Sequence, residues 1–286
     1  MDEVWTTLLR AASFGTPLLL ASLGAIVCER SGVVNLGLEG MMALGALAGF
    51  AVAYSGGGLW LAVLAAAGAG VAASLLHALV TLTFRANQFV SGLALTMLGL
   101  GVAGLLGKPF EGFPLFDTAL EWPFTVGAVL LAGMLYIVFY FSRLGLVLRS
   151  VGENPAAADV LGLNVTLVRV LAVSFGGALA GIAGSFLSLA YRPSWTDGMT
   201  VGLGWVAVAL VIFVSWNPLR AVFGSLFFGV LYYLQFRLQG NVPIPTEVFA
   251  AMPYFLVIVV LALIGARGQG GDAPDGLGRA WRRGER

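Results

Sequence analysis

The chain has 286 residues, 59% of them hydrophobic and 10% charged, with a mean hydropathy of +0.95 and a formal net charge of +1. That composition excludes an ordinary soluble globular domain, in which about half the residues are apolar and about a quarter charged, and the balanced charge excludes a nucleic-acid partner held by a basic surface. A single cysteine, Cys28, excludes an intrachain disulfide, and a single histidine, His77, excludes a histidine-cluster metal site.

A hydrocarbon core of about 30 Å takes about 20 helical residues to cross, and a backbone in lipid must satisfy its own hydrogen bonds, so long apolar runs are read as helices. Such runs fall at residues 4–27, 38–55, 59–83, 88–107, 122–141, 167–190, 200–216, 219–236 and 247–265. The predicted fold is therefore all-α, a polytopic transmembrane helical bundle of 8–9 spans over residues 1–265. No cleavable signal peptide is expected, because Asp2 and Glu3 precede the first apolar run with no basic residue ahead of it. In a nine-span arrangement Arg30, Arg85, Arg143, Arg149, Arg169, Arg220 and the basic tail share one side, while Lys108, Arg192 and Arg237 lie on the other and Arg10 sits just inside the first span. The excess of Lys and Arg marks the cytoplasmic side, which places the N-terminus outside and the C-terminus inside. Residues 266–286 are Gly- and Arg-rich without an apolar period and are predicted to form a disordered cytoplasmic tail.

The first interruption in chain order is "ERSGVVNLGLEGMMALGA", residues 29–46. Two readings stand there: a plain cytoplasmic turn with snorkelling charges, or a helix broken within the membrane, with Asn35 and Glu39 facing a water-filled path. Gly32, Gly37 and Gly40 permit the break under either reading. Farther on, Gly99, Gly101 and Gly104 match G-x-G-x-x-G but lie inside an apolar helix rather than after a strand, so they do not read as a dinucleotide site. Small residues at helical spacing, such as Gly45 with Gly49 and Gly177 with Gly181, read as close helix contacts. His77 reads as a satisfied polar residue between helices. Lys108 is followed by Pro109, so there is no phosphate loop and the chain is not itself an ATPase of that kind.

The second interruption is "RSVGENPAAADVLGLN", residues 149–164, in the longest predicted cytoplasmic loop. Asn154 suits an N-cap, Pro155 the first helical position, and Gly162 the end of a helix of about two turns. A helix so short needs support. Spacing alone leaves two sources of it open: the protein's own helix ends, or a partner subunit.

"ERSGVVNLGLEGMMALGA", "NQFVSGLALTMLGLG", "SVGENPAAADVLGLNV" and "GGALAGIAGSFLSL", in that order, resemble the permease subunits of bacterial ABC importers. The similarity extends through "GMTVGLGWVAVALVIFVSWNPLRAVFGSLFFG" and "PTEVFAAMPYFLVIVV", covers residues 13–263, and is closest to the binding-protein-dependent branch that moves nucleosides and simple sugars, related to the branched-chain amino acid type. The resemblance implies that the polar loop is a coupling helix seated in a cleft of the ATP-binding subunit, with Gly152, Glu153, Asn154, Ala157 and Gly162 carrying the coupling. It implies that Asn35, Glu39, Asn87 and Gln88 lie near the translocation pathway. It further implies an inner-membrane importer with a separate ATP-binding subunit that holds ATP and Mg, a second permease chain forming a heterodimer, and an extracytoplasmic substrate-binding lipoprotein. No cofactor is expected on this chain. Leu203 and Trp205 depart from the family pattern, which expects an Arg or similar residue and a Phe there, and this bears on the solute. The competing class is an ion-coupled secondary transporter of a small polar solute, which calls for intramembrane ionisable groups. Here Glu29, Glu39 and Glu247 all fall near predicted span ends.

Overall fold

The computed structural model describes residues 2–115, 120–238 and 273–282, with six isolated helical positions between 248 and 262. Apart from those six positions, the predicted segment 247–265 and the rest of the tail lie outside the described residues. Among the described residues there are ten named α-helices, of which α6 and α7 lie in the predicted polar loop: α1 (Asp2–Arg30), α2 (Leu38–Tyr54), α3 (Leu59–Ala78), α4 (Gln88–Gly107), α5 (Glu121–Phe141), α6 (Arg143–Glu153), α7 (Pro155–Val160), α8 (Val165–Phe186), α9 (Leu203–Phe213) and α10 (Pro218–Leu238). α3 and α8 each continue through a π-helical turn, Leu79–Thr83 and Leu187–Tyr191. Side-chain caps fix several starts: Asn87 accepts from Phe89 and Val90, Ser142 from Gly145, Asn154 from Ala157, and Asn164 from Leu167.

Among the described residues five helical stretches are long and apolar enough to cross a bilayer, namely Trp5–Arg30, Leu59–Thr83, Gln88–Phe110, Glu121–Phe141 and Val165–Tyr191. The windows in α1 and α8 are 89% and 67% buried and those in α3, α4 and α5 only 28%, so α1 and α8 form the centre and the other three face outward. Glycine lets the central helices touch backbone to backbone, as the small-residue spacing predicts. A Cβ on Gly45 of α2 would collide with the Gly181 carbonyl of α8, and one on Gly99 of α4 would come within 2.5 Å of Gly40 Cα. The glycines at 99 and 45 therefore serve packing.

The predicted span 38–55 forms α2, whereas the predicted span 200–216 is helical only over Leu203–Phe213. Residues 31–37 run irregularly from the end of α1 to α2, and residues 192–202 run from α8 to α9, which is only 11 residues long. The exposed-turn reading of residues 29–46 fails here: Glu29, Arg30, Asn35 and Glu39 are 5%, 6%, 2% and 4% exposed. A backbone without helical hydrogen bonds must find other partners when buried, and residues 31–37 find them on α3 and α4. Val34 N–H donates to Gln88 Oε1 (2.8 Å), the Val34 carbonyl meets His77 Nε2 (3.1 Å), and the Leu36 carbonyl accepts from Thr96 Oγ1 (2.8 Å). His77 also meets Ser91 Oγ at 2.9 Å, so it is the satisfied interhelical residue the sequence indicates.

Candidate functional site

α2 opens with Glu39 in its first turn, and α9 opens at Gly202, whose φ of +85° suits glycine. The two helix starts meet inside the bundle. The Glu39 carboxylate faces the backbone N–H groups of Gly202, Gly204 and Trp205, while its Oε2 is buried without a hydrogen-bond partner among the described residues. Gly204 permits the approach, since a Cβ there would fall 2.5 Å from that of Glu39. A carboxylate at a helix N-terminus compensates both the orphan N–H groups and the positive end of the dipole. Glu39 thus caps a half-helix from another part of the chain.

The remaining candidates near this seam divide by burial. Asn35 Oδ1 accepts from Gly37 N–H (2.9 Å) and its Nδ2 rests on Met41 Sδ (3.5 Å), so it shapes the backbone that leads into α2. Gln88 Oε1 holds Val34, and Gln88 Nε2 has no hydrogen-bond partner among the described residues. Asn87 is exposed and caps α4, apart from the other three. On the far side of the α9 start lies a cavity of about 380 Å³ lined by Phe14, Tyr191, Thr196, Met199, Leu203 and Tyr232, among others.

The lower end of α9 is fastened as firmly. Trp216 Nε1 donates to Glu29 Oε2 at 2.6 Å, and the Arg30 guanidinium donates to the carbonyls of Ser215 and Trp216 at 3.4–3.5 Å. Ser215 and Trp216 both take the left-handed conformation, φ +53° and +52°, a strain that only surrounding contacts sustain. No local sequence signal reports this latch, because its halves are 185–187 residues apart.

The predicted cytoplasmic loop forms α6 and α7. Gly152, at the end of α6, is buried so closely on the Arg30 carbonyl that a side chain has no room. Asn154 then caps α7 through its Oδ1, with Pro155 in the first turn, and Gly162 ends it at φ +85°. Ala158 faces inward onto Val151 and Val165. Glu153, Asn154, Ala157 and Gly162 are exposed, and so are Val160 (88%) and Leu161 (79%), an apolar tip that the coupling residues predicted from sequence omit.

Part of the predicted disordered tail is placed against this loop. Gly276 N–H donates to the Gly152 carbonyl (2.9 Å), Gly278 N–H to the Gly32 carbonyl (3.1 Å), and Asp275 N–H to Glu153 Oε2 (3.2 Å). Trp281 packs beside Val151, Ala158 and Val165. In residues 273–282 glycine backbones fit the glycine surfaces at 32 and 152, and one indole supplies an apolar contact that an aperiodic sequence hides.

Residues 7–261 match the family described as the branched-chain amino acid transport system permease component. The chain is similar to a Haloferax volcanii ABC transporter permease named for glucose, with 38% identity across 86% of this chain and 88% of the relative. It is similar to the guanosine ABC transporter permease of Bacillus subtilis, 33% identical across 96% and 95%, and to a nucleoside ABC transporter permease of Lactococcus lactis, 33% identical across 87% and 89%. In fold it resembles a solved chain of an inward-facing ABC transporter, with a TM-score of 0.52 and 18% identity over 90% of this chain and 85% of that one.

Proposed function

We infer this chain's role from its family: it belongs to the ABC transporter permeases described as the branched-chain amino acid transport system permease component. It is a multi-pass membrane protein, and its working partner by family is an ATP-binding subunit. Its solute is a nucleoside or simple sugar, the class named for its relatives in Bacillus subtilis, Lactococcus lactis and Haloferax volcanii. A polar solute suits the cavity beside the α9 start, whose tyrosines and Phe14 offer ring faces and whose Thr196, Gln235 and Arg192 offer polar groups. The bundle has 8–9 spans in the bacterial inner membrane, with α2 and α9 as short helices entered through the irregular segments 31–37 and 192–202. A second permease chain completes a heterodimer, and an external lipoprotein delivers the solute.

The observation that carries this reading is the exposed face of α7. A capped helix of six residues leaves Val160 and Leu161 uncovered at the end of the bundle where Arg30 and Arg149 collect. Two adjacent apolar side chains exposed on an otherwise polar, capped loop suit a seat in a partner's cleft. Glu153, Asn154, Ala157 and Gly162 surround that tip, with Gly152 setting its position on α1. Asn35, Glu39 and Gln88 hold the short helices that border the pathway, and Asn87 caps α4 at its mouth.

Uptake by vesicles tests this. Transport of a labelled nucleoside or sugar is expected only when the ATP-binding subunit, ATP and the external receptor are all present. Ion-driven uptake by this chain alone would return the protein to the secondary-transporter class, which the likeness in fold to an ABC transporter disfavours.

A further inference from the structure

Behind the loop that carries α7 is a cavity of about 380 Å³, with Asp159 and Gly162 of that loop in its lining. Its walls are the π turn after α3, the α7–α8 connection and the tail. The residues that matter are Thr81, Arg85, Asn164, Thr166, Arg169 and Trp281.

Arg169 is 2% exposed. Its Nε and Nη1 donate to the carbonyls of Ser31 (3.1 Å) and Arg279 (3.3 Å), and its Nη2 has no hydrogen-bond partner among the described residues. Carbonyl dipoles solvate a guanidinium but do not neutralise it, and a buried cation without an anion is costly. The second cation, Arg85, lines the same cavity and holds φ at +57°. A non-glycine residue is strained there, and the Arg85 side chain is exposed at the cavity wall. Trp281 contributes an indole N–H that is buried and unpartnered among the described residues. The one carboxylate in the lining, Asp159, is already engaged in an interaction within the chain.

We propose that this cavity binds a phosphate group, held by Arg85, Arg169 and the Trp281 N–H. Two guanidiniums flanking hydroxyl and indole donors match a tetrahedral anion with several acceptor oxygens better than a planar carboxylate. The phosphate is either that of an anionic phospholipid or that of a soluble phosphate compound. The lipid source has support from position: Phe84 and Leu167, next in sequence to the lining residues Arg85 and Thr166, are 71% and 53% exposed, and basic pockets at the cytoplasmic ends of spans suit headgroups. The site is independent of which solute is carried.

The test uses the assembled complex with its ATP-binding subunit, purified in detergent. In one arm it is equilibrated with mixed phosphatidylglycerol and phosphatidylcholine and the retained lipid is measured by native mass spectrometry. In the other, inorganic phosphate is titrated and thermal stability followed. Arg85→Gln is expected to weaken binding about tenfold, the loss of one charge-assisted hydrogen bond, and Trp281→Phe, which keeps the wall and removes the donor, about fivefold. Both sites are remote from the packed centre, so both variants report binding rather than folding. Preferential retention of phosphatidylglycerol, reduced in both variants, identifies the headgroup. Stabilisation by inorganic phosphate without lipid preference, again reduced in both, identifies a soluble ligand. If neither ligand binds the unmodified complex, or if binding is the same in both variants, the proposal is wrong.

Discussion

Leu161→Ala, at the tip of α7, separates a docking loop from a solvated one. Leu161 is 79% exposed and is the last residue before the glycine that ends the helix, so truncating it removes little from the chain's own packing. For a solvated surface residue the change is worth within about 0.5 kcal/mol of stability. If the side chain enters a partner's cleft, the loss is the transfer of most of a leucine side chain, about 2 kcal/mol, which is about a thirtyfold weaker complex. Val160→Ala beside it should add about 1 kcal/mol. The assay is association of the ATP-binding subunit with the detergent-solubilised permease, measured by titration, with α-helical content and thermal stability as controls. Intact association in the double variant would refute docking through this tip, however uptake responds.

Four further outcomes are expected. Glu39→Leu leaves the N–H groups at the α9 start without their acceptor and should cost about 1–2 kcal/mol in thermal stability together with most of the uptake, whereas Glu39→Gln, which keeps an acceptor oxygen, should retain more of both; equal behaviour of the two variants would argue against a capping role. Asn35→Leu removes about 1 kcal/mol of hydrogen bonding and should slow uptake about fivefold without blocking membrane insertion, so unchanged uptake kinetics would release Asn35 from the pathway. Removal of residues 273–286 frees the Gly152 and Gly32 carbonyls and should loosen the loop, seen as faster amide exchange over residues 150–162; unaltered exchange would show that the tail does not restrain it. Trp216→Phe deletes the hydrogen bond to Glu29 and should raise ATP hydrolysis relative to solute moved while leaving ATP-subunit association intact, and a ratio equal to that of the unmodified protein would exclude the latch from coupling.

Apolar helices were legible because their limits are punctuated. Arg85, Ala86 and Asn87 separate residues 59–83 from 88–107, and the structure ends and restarts its helices there. Asn154, Pro155 and Gly162 announce α7 by cap, first-turn and terminator chemistry, all of it local. The seam was only half legible: Asn35 and Glu39 stand out as polar residues in apolar surroundings, but the partner of Glu39 is the backbone of residues 202–205, and backbone amides leave no mark on composition. Arg169 counts in the sequence as one more cytoplasmic charge, and only the fold shows it to be buried. Trp281 lies in a stretch with no periodicity, so nothing announced that the tail would lean on the loop.

The contacts between loop and seam are continuous, and their stiffness follows from what each one is made of. Gly152 rests on the Arg30 carbonyl with no side chain between, so the end of α6 cannot shift toward α1 without moving that backbone. Arg30 and Glu29 hold both residues of the left-handed turn below α9. α9 is a rigid helix of three turns whose upper end is held by Glu39 of α2. Close-packed interiors pass displacement along rather than absorb it, and the one compliant position in this series is the 215–216 turn, where strain is already stored. Under the proposed coupling, a push on α7 by a moving ATP-binding subunit would reach α9 as a rotation about that turn, and the Glu39 cap is the contact such a rotation would have to break or carry with it. That makes the α9 start, rather than the loop itself, the place where the proposed coupling would change the shape of the pathway.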